Sequence, residues 1–141
     1  MPTDEEFLTR NHDVIAAFRA AGGRVADVPF PVLLLTTTGA RTGRPRTSPL
    51  GYTAHDGAVV VIGTRGGTDR QPSWFHNLLA DPAVTVELGD RTHPAKAVVL
   101  HGAERDRAWA AAAAGNPLYA QYAESIDREI PVVRLEGVPV P

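Results

Sequence analysis

Three arginines, Arg41, Arg44 and Arg46, fall within six residues of the segment TTTGARTGRPRTSPL, residues 36–50. Guanidiniums held that close repel one another, so the arrangement makes most sense where a polyanion or nearby acids neutralise it, and the segment supplies no acid of its own. Gly39 and Gly43 can take backbone angles closed to other residues, which suits a tight turn around an anion. Thr36, Thr37, Thr38, Thr42, Thr47 and Ser48 add hydroxyls that can bond phosphate oxygens without carrying charge. On residue types alone a solvated basic hairpin turn fits equally well. A Walker loop is excluded because no Gly-Lys-Ser/Thr ending is present, and a dinucleotide fingerprint because no GxGxxG opens a helix.

A second glycine-rich basic turn follows at Thr64-Arg65-Gly66-Gly67. If the strands before the two turns are neighbours, both turns converge at one end of a sheet. The three serines, Ser48, Ser73 and Ser125, lie outside any GxSxG elbow, and the five histidines never take metal-ligand spacing, so neither hydrolase chemistry nor a metal centre is indicated. Asp127 and Arg128 could form an active-site ion pair or pin the final strand. Trp74 reads either as core or as the wall of a site, and Tyr119 and Tyr122 share nearly one helix face. Few proton-transfer groups, two basic turns and three aromatics suit an anionic aromatic cofactor that carries the chemistry itself.

The 141 residues are enough for one domain with a real core, taken as 1–141, and too few for two ordinary ones. A net charge of −2 and a pI near 6.2 lack the global basic excess of nucleic-acid binders. Lys96 is the only lysine among fourteen basic residues, a bias that genome composition can produce, so position rather than arginine count carries the argument. Cysteine is absent, which removes disulfides and thiolate chemistry and is compatible with a reducing compartment. The acidic start MPTDEEFLTR has no signal-peptide core, and no apolar run reaches bilayer length, so a cytoplasmic address is expected.

Several elements must position these residues. Thr3 and Glu6 fit a capping box, and Phe7, Val14, Ile15 and Phe18 give the ensuing helix one apolar face before Gly22-Gly23 ends it. That face could pack on the domain or touch a membrane or partner. Val32–Thr38, Arg46–Ala54 and Ala58–Thr64 read as a meander whose second turn is Asp56-Gly57. Val59 to Ile62 lack polar alternation, which predicts a strand covered on both faces. A short helix follows around SWFHNLLA, with Pro72 suited to its first turn. Two strands come next, Ala83–Leu88 and Arg91–Leu100, the latter at an edge or bulge because of Pro94. Helices over Ala103–Ala114 and Leu118–Ile126 precede a last strand, Ile130–Leu135. The fold class is mainly β (α+β): an antiparallel barrel or strongly twisted sheet with short flanking helices and an N-terminal helix.

LLLTTTGARTGRPRTSPL, GTRGGTDRQPSWFHNLLADP and NPLYAQYAESIDREIPVV, in this order and spacing, resemble the deazaflavin-dependent nitroreductase family, which uses coenzyme F420. The resemblance covers about Pro31 to Leu135. It implies a split β-barrel and a cytoplasmic or membrane-peripheral reductase of quinones, nitroaromatics or other activated acceptors. It further implies that Arg41, Thr42, Arg44 and Arg46 meet the cofactor's phosphate and oligoglutamate tail, that Ser48, Pro49 and Leu50 run along its ribityl and ring portion, and that Thr64 and Arg65 add contacts. Trp74 would help to wall the site, and Tyr119 and Tyr122 would line the acceptor pocket and offer the proton. A third aromatic of that set is here Asn116, which counts against nitro compounds as acceptors. FMN or haem on the same fold, or a non-enzymatic F420 carrier, are the alternatives. The chain is expected to be a monomer or homodimer.

Overall fold

The computed structural model describes residues 4–25 and 30–141. Thr3 of the expected capping box and the Phe7 side chain lie outside the described part. In chain order the elements are α1 (Asp4–Ala20), β1 (Val32–Thr38), β2 (Pro45–His55), β3 (Ala58–Ile62), α2 (Ser73–Ala80), β4 (Ala83–Leu88), β5 (Arg91–Val99), α3 (Gly102–Gly115), α4 (Leu118–Ser125) and β6 (Val132–Glu136). The six strands close into an antiparallel barrel in the order β1-β2-β3-β6-β5-β4. The expected split-barrel architecture, with its N-terminal helix, is the one observed.

The alternation of side chains along each strand explains the apolar runs. Leu33 and Leu35 of β1 and Val59 and Val61 of β3 fill the barrel interior with Val84, Val86, Val133 and Leu135. Their neighbours face outward and are covered too: Val60 and Ile62 lie with Ala108, Ala112, Tyr119 and Ile126 of the α3–α4 region, while Val32 and Leu34 lie with Phe18 of α1. The α1 face therefore packs on the barrel. Ala108 and Ala112, one helical turn apart and fully buried, let α3 approach closely. Trp74 and Leu78 of α2 join the interior cluster, so this short helix plugs the barrel.

β1, β2 and β3 form the expected meander. β1 and β3 are therefore not direct neighbours, because β2 lies between them. Each runs antiparallel to β2, however, so their C-terminal ends, which carry the two arginine turns, still emerge at the same end of the barrel. Pro94 sits at a locally unpaired edge of β5, in keeping with the expectation. It pairs with Thr85 of β4, on a stretch of β5 that precedes the first β6 partner, Lys96, so the missing N–H breaks no rung on that side.

Burial predicts the energetics of the interior. Leu35→Ala, at a fully buried position, should cost about 2–5 kcal/mol in denaturant unfolding. Leu79→Ala, on the exposed side of α2 at 58% exposure, should stay within about 0.5 kcal/mol.

Candidate functional site

Where the two turns emerge, a cleft of about 1400 Å³ runs over β2 and under α1 and α4. The turn between β1 and β2 closes through Gly39 N–H donating to the Arg44 carbonyl (2.8 Å) and Gly43 N–H to the Gly39 carbonyl (2.8 Å). Gly43 has φ +70°, the left-handed region. Gly39 is required for a different reason: a Cβ there would lie 2.9 Å from Thr42 Oγ1 and 3.0 Å from the Arg44 carbonyl.

Asn77 fixes this turn in space. Its Oδ1 accepts from the Ala40 amide (2.9 Å) and its Nδ2 donates to Thr37 Oγ1 (3.0 Å), so one buried side chain ties α2 to the end of β1 and to the turn. The signal for it was a polar residue three positions after Trp74 on the apolar side of a short helix. On the other side of the cleft, Arg65 sits in a 3-10 turn with φ +48°, its Nη1 donating to Thr68 Oγ1 (3.2 Å). Gly67, at φ +85°, passes so close to the Tyr122 ring that a Cβ would lie 2.8 Å from it.

Arg41, Thr42, Arg46, Ser48, Pro49, Leu50, Thr64, Arg65, Trp74, Tyr119 and Tyr122 all line this one cleft. Arg44 does not: it is exposed outside the lining, with its carbonyl and amide both used to close the turn. The cleft also takes residues that the sequence reading missed, among them Leu8, His12 and Phe30, together with Arg70, Gln71 and His76. Five arginines line it, at positions 10, 41, 46, 65 and 70, and no Asp or Glu does so among the described residues. A chain of net charge −2 thus concentrates cations at one place. Phe30, Leu50, Leu118, Tyr119 and Tyr122 add apolar and aromatic surface to the lining, and Leu8 and Leu118 are 61% and 37% exposed.

The aromatics differ in kind. Trp74 is both core and wall, only 4% exposed yet reaching the cleft. Tyr119 is 7% exposed, belongs to the cluster beneath α3 and α4, and has its ring 6.2 Å from that of Trp109. Its hydroxyl comes within 3.2 Å of where a Cβ on Gly51 would stand. Burial raises the Tyr119 phenol pKa above the ordinary value, and neighbouring Tyr122 adds to the shift. Tyr122 is only half-buried. Asn116 lines the cleft and has a local task as well, its Oδ1 accepting from the Leu118 amide (3.1 Å) at the start of α4. Among the described residues no group of three or more His, Asp or Glu side chains is placed to hold a metal ion.

Guanidiniums, hydroxyls and turn amides lining one cleft with apolar and aromatic walls form a set that suits a cofactor with an anionic tail and an aromatic ring. The fold and site together define a split-barrel oxidoreductase. Residues 9–137 match the family model of the F420H(2)-dependent quinone reductases, and the chain belongs to that family. An F420H(2)-dependent quinone reductase of Mycobacterium tuberculosis is 38% identical over 134 residues, covering 91% of this chain and 89% of the relative. The solved structure of an F420-H2 dependent reductase, FDR-A, superimposes with a TM-score of 0.69 at 38% identity, covering 80% of this chain and all of that one. A second solved structure, a domain-swapped dimer, gives 0.71 at 34% identity over 92% of this chain and 97% of its own. The cofactor is coenzyme F420 and the reaction F420-dependent quinone reduction, as the resemblance implied.

Two expectations follow from the geometry. Asn77→Ala removes the acceptor of a backbone amide at a buried position and should cost about 1–3 kcal/mol, with faster hydrogen exchange at Ala40. For Tyr119, the unfolded chain ionises first as pH rises. The stability it contributes is therefore intact below the ordinary tyrosine value of 10.0 and is lost as pH climbs through the raised folded value. Denaturant melts across alkaline pH should show a shallower decline for Tyr119→Phe than for the wild type.

Proposed function

We propose that the arginine end of the cleft takes the phosphate and carboxylates of F420, and that the apolar end stacks its ring against the quinone. The observation that carries this reading is the set of five arginines with no carboxylate among the described lining residues. In this reading Arg41, Thr42 and Arg46 grip the tail from one turn and Thr64 and Arg65 from the other. Ser48, Pro49 and Leu50 run beside the ring, and Trp74 closes the wall. Arg44 contributes only to the surrounding potential. F420 favours this site over FMN because its tail carries more negative charge for the same arginines.

The reduced cofactor supplies a hydride to the acceptor when bound. The chain's part is orientation, exclusion of water and a proton. Tyr122, half-buried at the cleft, is the proposed proton donor to the acceptor oxygen. Tyr119, held neutral in the core, shapes the wall beside it. Exposed Leu8 and Leu118 give a lipid-soluble quinone an apolar approach, which supports an enzyme open to its acceptor rather than a carrier, and peripheral contact with a membrane. Nitro compounds are poorer acceptors, because Asn116 offers no aromatic face. The domain-swapped relative favours a homodimer over a monomer.

Cofactor fluorescence titrations test the assignment. Arg41→Ala and Arg46→Ala should each weaken F420 binding by about 1–3 kcal/mol, less at high salt, while Arg44→Ala should change it by no more than about 0.5 kcal/mol. Tyr122→Phe should slow the oxidation of reduced F420 by menadione with F420 affinity nearly intact. Tighter binding of FMN than of F420, or equal losses at all three arginines, would overturn the reading.

A further inference from the structure

We propose that Arg128, which does not line the cleft, is the positioning residue that clamps the 63–71 loop and thereby aims Arg65 and Arg70 at the anion end. The proposal rests on the reading above that this end holds the cofactor's tail. The guanidinium's partners come from that loop rather than from its sequence neighbour Asp127. Nη1 donates to the Gly63 carbonyl (3.0 Å) and to Gln71 Oε1 (2.8 Å), and Nη2 donates to the carbonyls of Thr64 (3.0 Å) and Thr68 (3.1 Å). Three carbonyls and an amide oxygen spaced over nine residues thus converge on one planar fork.

The strap that carries Arg128 is laced to the same loop twice more. Gly63 N–H donates to the Pro131 carbonyl (2.9 Å), and Gln71 Nε2 donates to the Glu129 carbonyl (3.0 Å). Pro131 presses so close that a Cβ on Gly63 would lie 2.5 Å from its ring. The strap is itself held from α3, where Arg105 Nη2 donates to the Ile130 carbonyl (2.6 Å).

The loop needs such a clamp. Arg65 occupies the left-handed region at φ +48°, a conformation that a non-glycine residue keeps only when its surroundings impose it. The loop is otherwise a short 3-10 turn, and its carbonyls at Gly63, Thr64 and Thr68 turn inward to Arg128 instead of pairing in a sheet. Burial lowers the Arg128 pKa, Asp69 opposes the shift, and the Arg65 cation lowers it further, so the two guanidiniums feel one another. An anion in the cleft beside Arg65 would relieve that repulsion. Lysine cannot replace the fork, since one ammonium cannot reach acceptors distributed over Gly63 to Gln71.

The test pairs hydrogen exchange of the cofactor-free protein with F420 titration of the wild type, Arg128→Gln, Arg128→Lys and Arg65→Ala. In Arg128→Gln, amides of residues 63–71 should exchange about tenfold faster while β1 and β4 stay within about twofold, and F420 affinity should fall about tenfold. Arg128→Lys should show the same pattern at smaller size, and serves if the glutamine variant does not fold. Unchanged exchange in the loop, or acceleration spread evenly over the barrel, overturns the proposal. So does an Arg128→Gln that keeps full F420 affinity while Arg65→Ala loses it. If loop exchange rises but neither variant alters F420 affinity, the clamp stands and the placement of the cofactor tail fails instead.

Discussion

The site depends on how β2 is shared around the closed barrel. Its first seven residues, Pro45–Gly51, pair with β1, and its last four, Tyr52–His55, pair with β3. One long strand thereby holds two others in the same direction and delivers the ends of both to one rim. Closure leaves no open edge, so the sheet cannot shift register to separate the two turns without breaking rungs on both sides. The interior packing of Leu33, Leu35, Val59 and Val61 adds to this, since a one-residue slip would turn each of them outward. The geometry of an anion site is in this way inherited from the core.

Gathering five arginines around one cleft brings like charges together, which repel. Neutral groups fix the backbone of both cationic turns. Asn77 grips the first turn by its backbone at Ala40, and the Gly63, Thr64 and Thr68 carbonyls give the second turn its partners. Carboxylates in those places would stabilise the empty protein and compete with an anionic ligand. Amide and carbonyl partners fix the same geometry and leave the positive potential for the ligand.

Much of this was legible in the sequence wherever local pattern and tertiary structure agree. Val59–Ile62 announces a doubly covered strand because both of its faces are in fact buried, and Asp56-Gly57 marks its hairpin by the positive φ that both residues adopt. The three motif segments meet at one cleft, as the family resemblance implied. What was not legible depends on contacts distant in sequence. Arg44 is chemically the same as Arg41 and Arg46, and only the closure of the turn sets it outside the lining. Asn77 and Arg128 act over 37 and about 60 residues of chain, and nothing in their neighbours' types specifies the partner. Arg128 could be seen to pin the final strand, but the object it pins is the loop across the barrel rim.

The two tyrosines show how fold and chemistry divide one helix. Tyr119 and Tyr122 lie one turn apart on α4, yet the first is sealed into the cluster beneath α3 and the second is half-buried against Gly67. A phenol buried in the core is kept neutral, which suits a wall, whereas Tyr122 stands against the loop. Because Gly67 belongs to the segment that carries Arg65, the position of the Tyr122 ring is coupled to the turn at the anion end. A glycine is required there on two counts, the φ of +85° and the 2.8 Å that a Cβ would leave to the ring. The loop that carries Arg65 and the Tyr122 ring therefore meet at Gly67, so a change that reshapes the loop there alters both.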